Sequence, residues 1–138
     1  MNTPEFTELA LLIQQWARDR KILWRSNPKA QAMKTLEKCG ELLEAATALH
    51  VLDRYPVETM EDKDWIVQAD WRDKYRDAVG DVLVTIIIGC ALADVDPLDC
   101  LAAAYDEIKD RKGHMNEAGI FVKDQPQMLA LPLVGEAK

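Results

Sequence analysis

The chain has 138 residues, of which 49% are hydrophobic and 30% are charged, a composition typical of a soluble globular protein that buries its own core. Acidic residues outnumber basic ones by 24 to 17, and the formal charge of −7 argues against duplex nucleic acid or an anionic membrane as the main partner. An anionic ligand would need the help of a cation.

The cysteines and the apolar runs exclude several further classes of protein. Cys39, Cys90 and Cys100 are odd in number and have no CxxC spacing, so we expect buried, reduced thiols rather than a disulfide scaffold or a zinc site. The first residues do not resemble a signal peptide, and the longest apolar run, residues 82–93, is shorter than the roughly 20 residues that cross a bilayer. We therefore expect a cytoplasmic protein.

Apolar residues at helical spacing predict four helices. Asn27 and Pro28 are suited to begin the second helix, Asp96 is suited to cap the fourth, and Gly113 is suited to end it. The predicted helices span residues 4–21, 29–52, 71–93 and 97–112.

The connections complete an all-α prediction. Residues 53–70 lack a clear period and predict a long loop between the second and third helices, and residues 119–123 are consistent with a short extended piece. We expect one four-helix bundle domain over residues 1–125, followed by a mobile tail at 126–138.

Acidic residues lie on one face of the second helix. Glu37, Glu41 and Glu44 have the spacing i, i+4, i+7 and fall within an arc of about 60°. This arrangement is either a solvated face or a cation site, because the like charges repel one another. The apolar residues on the opposite side of the helix are Leu36, Cys39, Leu43 and Ala46.

Two more acids precede the most apolar turns of the third helix. Asp77 and Asp81 are four residues apart, and Asp81 stands where a buried seam begins, so its carboxylate needs a hydrogen bond, an ion pair or a metal. An ion pair would come from Arg72, Lys74 or Arg76. If the two acidic helices pack antiparallel, their carboxylates can meet and bind Mg²⁺, which prefers oxygen ligands and commonly bridges to phosphates.

Three segments in this order resemble the MazG-like nucleotide pyrophosphohydrolases, in particular the small phage- and integron-type branch. They are residues 31–45 with Glu41 and Glu44, residues 80–83 with Asp81, and residues 107–113 followed by 119–123. The resemblance extends from Glu8 to Lys123.

This resemblance implies an all-α homodimer or homotetramer that uses Mg²⁺, with Mn²⁺ as a substitute. The implied reaction hydrolyses nucleoside or deoxynucleoside triphosphates to the monophosphate and pyrophosphate, in nucleotide-pool house-cleaning. One carboxylate, Glu44 or Glu37, would orient or deprotonate the attacking water. The expected metal ligands are Glu37, Glu41, Glu44, Asp77 and Asp81.

The chain departs from the family pattern at two usual ligand positions. Lys38 and Ala78 stand where the resemblance implies Glu, and Glu37 and Asp77 lie one residue earlier on the same helical faces. Lys38 either swings away or replaces the charge of a metal ion. Two alternatives to an active enzyme follow: a family member that binds nucleotide with little turnover, and a non-catalytic helical interaction module.

Basic and aromatic residues complete the expected substrate site. Cations at the end of the fourth helix are explained equally by the helix dipole or by binding of a polyphosphate. Trp24 or Trp65 is a candidate to stack on a base. The candidate phosphate-binding residues are Lys34, Lys109, Arg111, Lys112 and Lys123.

Overall fold

Helices dominate the part of the chain that the structure, a computed structural model, describes: residues 4–54 and 61–125. The contacts divide it into two units, Met1–Cys100 and Leu101–Lys138. The helical character predicted from the sequence is confirmed. The elements are α1 Phe6–Asp19, α2 Ile22–Arg25, α3 Pro28–Leu52, α4 Asp62–Leu92, α5 Pro97–Ile108, β1 Gly113–Met115 and β2 Phe121–Lys123.

The first predicted helix is interrupted near its end. α1 stops at Asp19 because Lys21 has a positive φ of 61°, a left-handed conformation that cannot continue a right-handed helix. The short helix α2 then precedes α3. Asn27 caps α3 as predicted, since its side-chain oxygen accepts a hydrogen bond from Ala30 N at 2.9 Å.

The prediction of a loop up to residue 70 is wrong for its second part, because α4 begins at Asp62. Glu61 and Asp64 form a capping box, in which Glu61 N donates to Asp64 Oδ2 at 3.1 Å. Gln68 is buried and its Nε2 donates to Asp53 Oδ1 at 2.7 Å, which ties the added turns to the end of α3. Residues 55–60 lie outside the described part of the chain.

Helices α3 and α4 pack antiparallel and form the largest helix pair of the first unit. The hydroxyls of Thr35 and Thr85 are 2.8 Å apart near one end, and the Asp53–Gln68 hydrogen bond lies at the other. The buried seam between them contains Ala45, Ala78, Thr85 and Ile88. α1 also packs on α4 and buries Ala10 and Ala17.

The apolar face of α3 that lies opposite the acids is largely exposed. Leu36 and Leu43 are 74% and 68% exposed, and Cys39 is exposed as well. The side of α3 that faces α4 instead follows alternating spacings of three and four residues, as in other antiparallel helix pairs. Its less exposed positions include Thr35, Lys38, Leu42, Ala45 and Leu49.

In the second unit, a β-hairpin follows the end of α5. The start of α5 is as predicted, because Leu98 N donates to Asp96 Oδ1 at 2.7 Å, but the helix ends at Ile108 rather than Lys112. Gly113 does not end the helix; it begins β1, which pairs antiparallel with β2 in the register Gly113↔Lys123. The tail predicted at 126–138 lies outside the described residues.

No single helix among those described is long and apolar enough to cross a membrane. By length and composition alone, residues 64–92 and α5 meet that requirement when taken together as one bent pair.

Candidate functional site

Four of the five predicted acids line one pocket between α3 and α4, called here the acidic pocket. α3 contributes Glu41 and Glu44, and α4 contributes Asp77 and Asp81. The pocket has a volume of about 340 Å³. Its other lining residues are Ala45, Trp71, Lys74 and Ala78.

The pocket exists because small residues occupy the seam where the acids flank it. Ala45 and Ala78 are both buried, and their methyl groups let the two helices approach while leaving space beside them. Each pair of acids is three or four residues apart on its own helix, so the antiparallel packing brings the two pairs to the same place. The two acidic faces thus border one pocket, to which each helix contributes two acids.

Lys38 extends from α3 across to α4 beside this pocket. Its Nζ is 3.1 Å from Glu41 Oε2 and 3.1 Å from Asp81 Oδ2. The hydrogen bonds to Glu41 and then Asp81 raise the pKa of the Lys38 ammonium above its ordinary value. Asp81 therefore has an ion-pair partner that the sequence did not suggest.

Two of the three expected partners of Asp81, Arg72 and Lys74, are engaged elsewhere. Arg72 Nη2 lies 3.7 Å from Asp53 Oδ1, and Lys74 Nζ lies 3.1 Å from Asp70 Oδ2. Lys74 also lies over the ring of Trp71, 4.3 Å from its centroid. These contacts run along α4 or toward the end of α3 rather than across the middle of the pocket.

The remaining two carboxylates of the acidic pocket have no such partner. Within residues 4–54 and 61–125, Glu44 and Asp77 accept no side-chain hydrogen bond and form no ion pair. They are the two groups of the pocket whose negative charge is uncompensated. Any cation that enters the pocket meets these carboxylates as its most available ligands.

Three predicted site residues of the first unit lie outside the acidic pocket. Glu37 is paired with Lys34, whose Nζ lies 3.0 Å from Glu37 Oε2 along the same helix. Trp24 belongs to α2 and is 70% exposed. The structure therefore brings together four of the expected metal ligands and not Glu37.

The donor chemistry of the pocket suits a hard cation, because all four acids offer carboxylate oxygens. Among the described residues, however, no three His, Cys, Asp or Glu side chains converge closely enough to form a metal-binding group. Two of the four carboxylates, those of Glu41 and Asp81, contact the Lys38 ammonium group instead.

The predicted phosphate-binding cations of the second unit fall into two groups. Lys109 is paired with Asp106 at 3.0 Å, one turn earlier in α5. Lys112 and Lys123 lie at the same end of the hairpin, where Asp124 N donates to Lys112 O at 3.0 Å. Arg111 immediately precedes Lys112 and is exposed.

A second, apolar pocket of about 660 Å³ was not predicted from the sequence. It shares Glu44 and Trp71 with the acidic pocket and is otherwise lined mainly by apolar groups, including Val67. Sequence reasoning missed it because Val67 was assigned to a loop. The helical spacing of Val67 and Trp71, four residues apart, is the signal that would have revealed it.

Comparison of the whole chain with models of protein families, with curated proteins and with solved structures finds no match.

Proposed function

We propose that the protein is a Mg²⁺-dependent hydrolase that converts nucleoside or deoxynucleoside triphosphates to the monophosphate and pyrophosphate. The observation that supports this proposal is the acidic pocket, in which α3 and α4 each supply two carboxylates. The resemblance of the same segments to MazG-like pyrophosphohydrolases supplies the reaction class.

The residues of the pocket fit a magnesium ion in chemistry, because carboxylate oxygens are its preferred protein ligands. Asp77 would hold it first, since Glu41 and Asp81 are engaged by Lys38 and Glu44 is the candidate for the general base. When bound, Mg²⁺ or Mn²⁺ supplies charge neutralisation at the phosphates and lowers the pKa of a coordinated water.

Glu44 is the better candidate for general base. Its carboxylate lines the acidic pocket and has no ion-pair partner in the described chain, so it can accept a proton from the attacking water. Glu37, the other candidate, is paired with Lys34 at 3.0 Å. Water attacks phosphorus directly, pyrophosphate leaves, and no covalent bond to the protein forms.

The apolar pocket is suited to the nucleobase. Its volume of about 660 Å³ is in the usual range for small-molecule sites. Trp71 lines both pockets and can stack on a base while the phosphates lie near the carboxylates. In this proposal Lys34, Trp24 and the cations of the second unit, Lys109, Arg111, Lys112 and Lys123, assist binding in a cytoplasmic homodimer or homotetramer.

The test is incubation of the purified chain with each NTP and dNTP and Mg²⁺, followed by detection of products. We expect monophosphate plus pyrophosphate with at least one nucleotide and loss of turnover with EDTA. Release of orthophosphate, or no turnover with any nucleotide, would contradict the proposal.

A matched pair of variants tests the role of Glu44. Removal of a general base typically slows the reaction by about 10²- to 10⁴-fold, and we expect this of Glu44→Gln. Glu8→Gln removes an exposed acid of α1, outside the acidic pocket, and should retain the rate. Equal rates for both variants would exclude Glu44 as the base.

The non-catalytic alternative is favoured by a specific observation, the large exposed apolar side chains of α3, which are suited to contact another protein. Calorimetry with Mg²⁺ and a non-hydrolysable nucleotide separates the two functions. The interaction module predicts no heat of binding with either ligand, whereas the enzyme predicts binding of both.

A further inference from the structure

Lys38 is placed on the face of α3 that packs against α4, not on the outer surface. It lies between Thr35 and Leu42 in the inward-facing series, and its side chain is 23% exposed. Its ammonium nitrogen contacts one carboxylate from each helix, Glu41 and Asp81, both at 3.1 Å. One positive charge therefore joins two acids that belong to different helices.

A second lysine on the same helix shows that this arrangement is specific. Lys34 forms the same i, i+3 pair with Glu37, at 3.0 Å, but both side chains are 54% exposed and the pair contacts no acid of α4. The sequence spacing of the two pairs is identical. They differ in that Lys38 alone contacts an acid of α4, Asp81.

We infer that Lys38 is a resident cation of the acidic pocket, which takes the place of one divalent ion at Glu41 and Asp81. The ammonium group has three donors and can serve both carboxylates at once. A divalent ion at the same two acids would have to displace it or bind against its repulsion. The inference rests on the proposed function only for the use of a divalent ion.

The experiment measures Mn²⁺ binding to the full chain without nucleotide, by calorimetry and by the electron paramagnetic resonance signal of free Mn²⁺. We expect Lys38→Gln to bind one more Mn²⁺ per chain than the wild type, or to bind it about tenfold more tightly, because one repelling charge has been removed. Lys34→Gln frees a carboxylate on the same helix without a partner on α4, so its Mn²⁺ binding should match the wild type.

Two outcomes overturn the inference: Lys38→Gln that binds Mn²⁺ like the wild type, and Lys34→Gln that gains as much as Lys38→Gln. Lys38→Arg retains the charge and must also match the wild type, so a gain in Lys38→Arg is a third contrary result. If circular dichroism shows that Lys38→Gln has lost helical structure, the Mn²⁺ binding of Lys38→Arg is the deciding result. If no pyrophosphate is released but Lys38→Gln gains Mn²⁺ binding, the proposed enzyme is rejected and the role of Lys38 is retained. If pyrophosphate is released but Lys38→Gln gains no Mn²⁺ binding, the enzyme is retained and the role of Lys38 is rejected.

Discussion

At the scale of single residues, the hydroxyls of Thr35 and Thr85 form the most buried polar contact between α3 and α4. The two Oγ1 atoms are 2.8 Å apart, and Thr85 is only 8% exposed. Each hydroxyl also lies within hydrogen-bond distance of a carbonyl oxygen of its own helix, from Gln31 and Val82. Both hydroxyls therefore have hydrogen-bond partners within the protein.

Thr85→Val should lower the free energy of unfolding by about 1 kcal/mol, because a valine of the same shape cannot replace the lost hydrogen bonds. Urea unfolding followed by circular dichroism measures this change. Thr47→Val is the matched control, since the Thr47 hydroxyl only donates to Leu43 O, at 2.7 Å, on an exposed surface. An equally large loss in Thr47→Val would show that the cross-helix contact is not the cause.

The three cysteines differ in environment more than the sequence suggested. All are free thiols, but Cys39 and Cys100 are exposed, so the expectation of burial is wrong for them. Cys90 is partly buried, and desolvation is the main reason that its pKa is raised; the charges of Cys100 and Asp96 raise it further. Its thiolate, the reactive form, is therefore populated only at a higher pH.

Alkylation with iodoacetamide should consequently modify Cys39 and Cys100 before Cys90 at pH 8. The rate at Cys90 should continue to increase with pH above the ordinary pKa of a cysteine thiol, because the raised pKa of Cys90 shifts thiolate formation to higher pH. Peptide mass spectrometry of samples quenched over time gives the three rates. Cys90 as the fastest site at pH 8 would contradict this assignment.

At the scale of elements, the two glycines Gly80 and Gly113 have opposite roles. Gly80 lies within α4, and a Cβ added there would meet nothing within 4 Å. Gly113 begins β1, and a Cβ there would collide with the backbone of Val122 and the ring of Phe121. One glycine only weakens a helix, whereas the other is required by a close approach of two strands.

Gly80→Ala should therefore raise the free energy of unfolding by up to about 1 kcal/mol, through better helix propensity. Gly113→Ala should instead disrupt pairing of the hairpin and speed amide hydrogen exchange at Asp124, whose N donates to Lys112 O across the hairpin at 3.0 Å. Urea unfolding measures the first change and hydrogen exchange the second. Slow exchange at Asp124 in Gly113→Ala would contradict the described hairpin.

At the scale of the whole molecule, the described residues leave many large apolar side chains uncovered. The buried apolar residues are four alanines and two isoleucines, and no large side chain of the described chain is fully buried. Leu36 and Leu43, seven residues apart on one side of α3, are among the most exposed. This distribution supports the proposed homo-oligomer, because association would cover these side chains.

Leu36→Asp should then reduce the mass measured by light scattering toward that of a 15.6 kDa monomer. The mass should fall because the aspartate carboxylate would be buried in an apolar interface without a partner, which disfavours association. Lys29→Asp also adds an acid to α3, at an exposed position of its first turn, and should leave the mass unchanged. A wild-type chain that is already monomeric would reject the proposal.

The sequence by itself determined the helical class, the caps at Asn27 and Asp96 and the acids of α3 and α4, because these depend on local spacing and local hydrogen bonds. It did not determine which face of α3 is covered, since Leu36 and Leu43 have a helical period as good as that of Leu42 and Ala45. Burial is decided by the neighbouring helix.

The tertiary structure alone decided the length of α4 and the partner of Asp81. Residues 62–70 have no clear apolar period, and their helix is held by contacts of Gln68 and Arg72 with the end of α3. Lys38 and Asp81 are far apart in the chain, so their 3.1 Å ion pair exists only because the helices pack antiparallel in this register. A charge pair between distant residues leaves no mark in local spacing, and this is the physical reason that the contact of Lys38 with Asp81 had to be read from the fold.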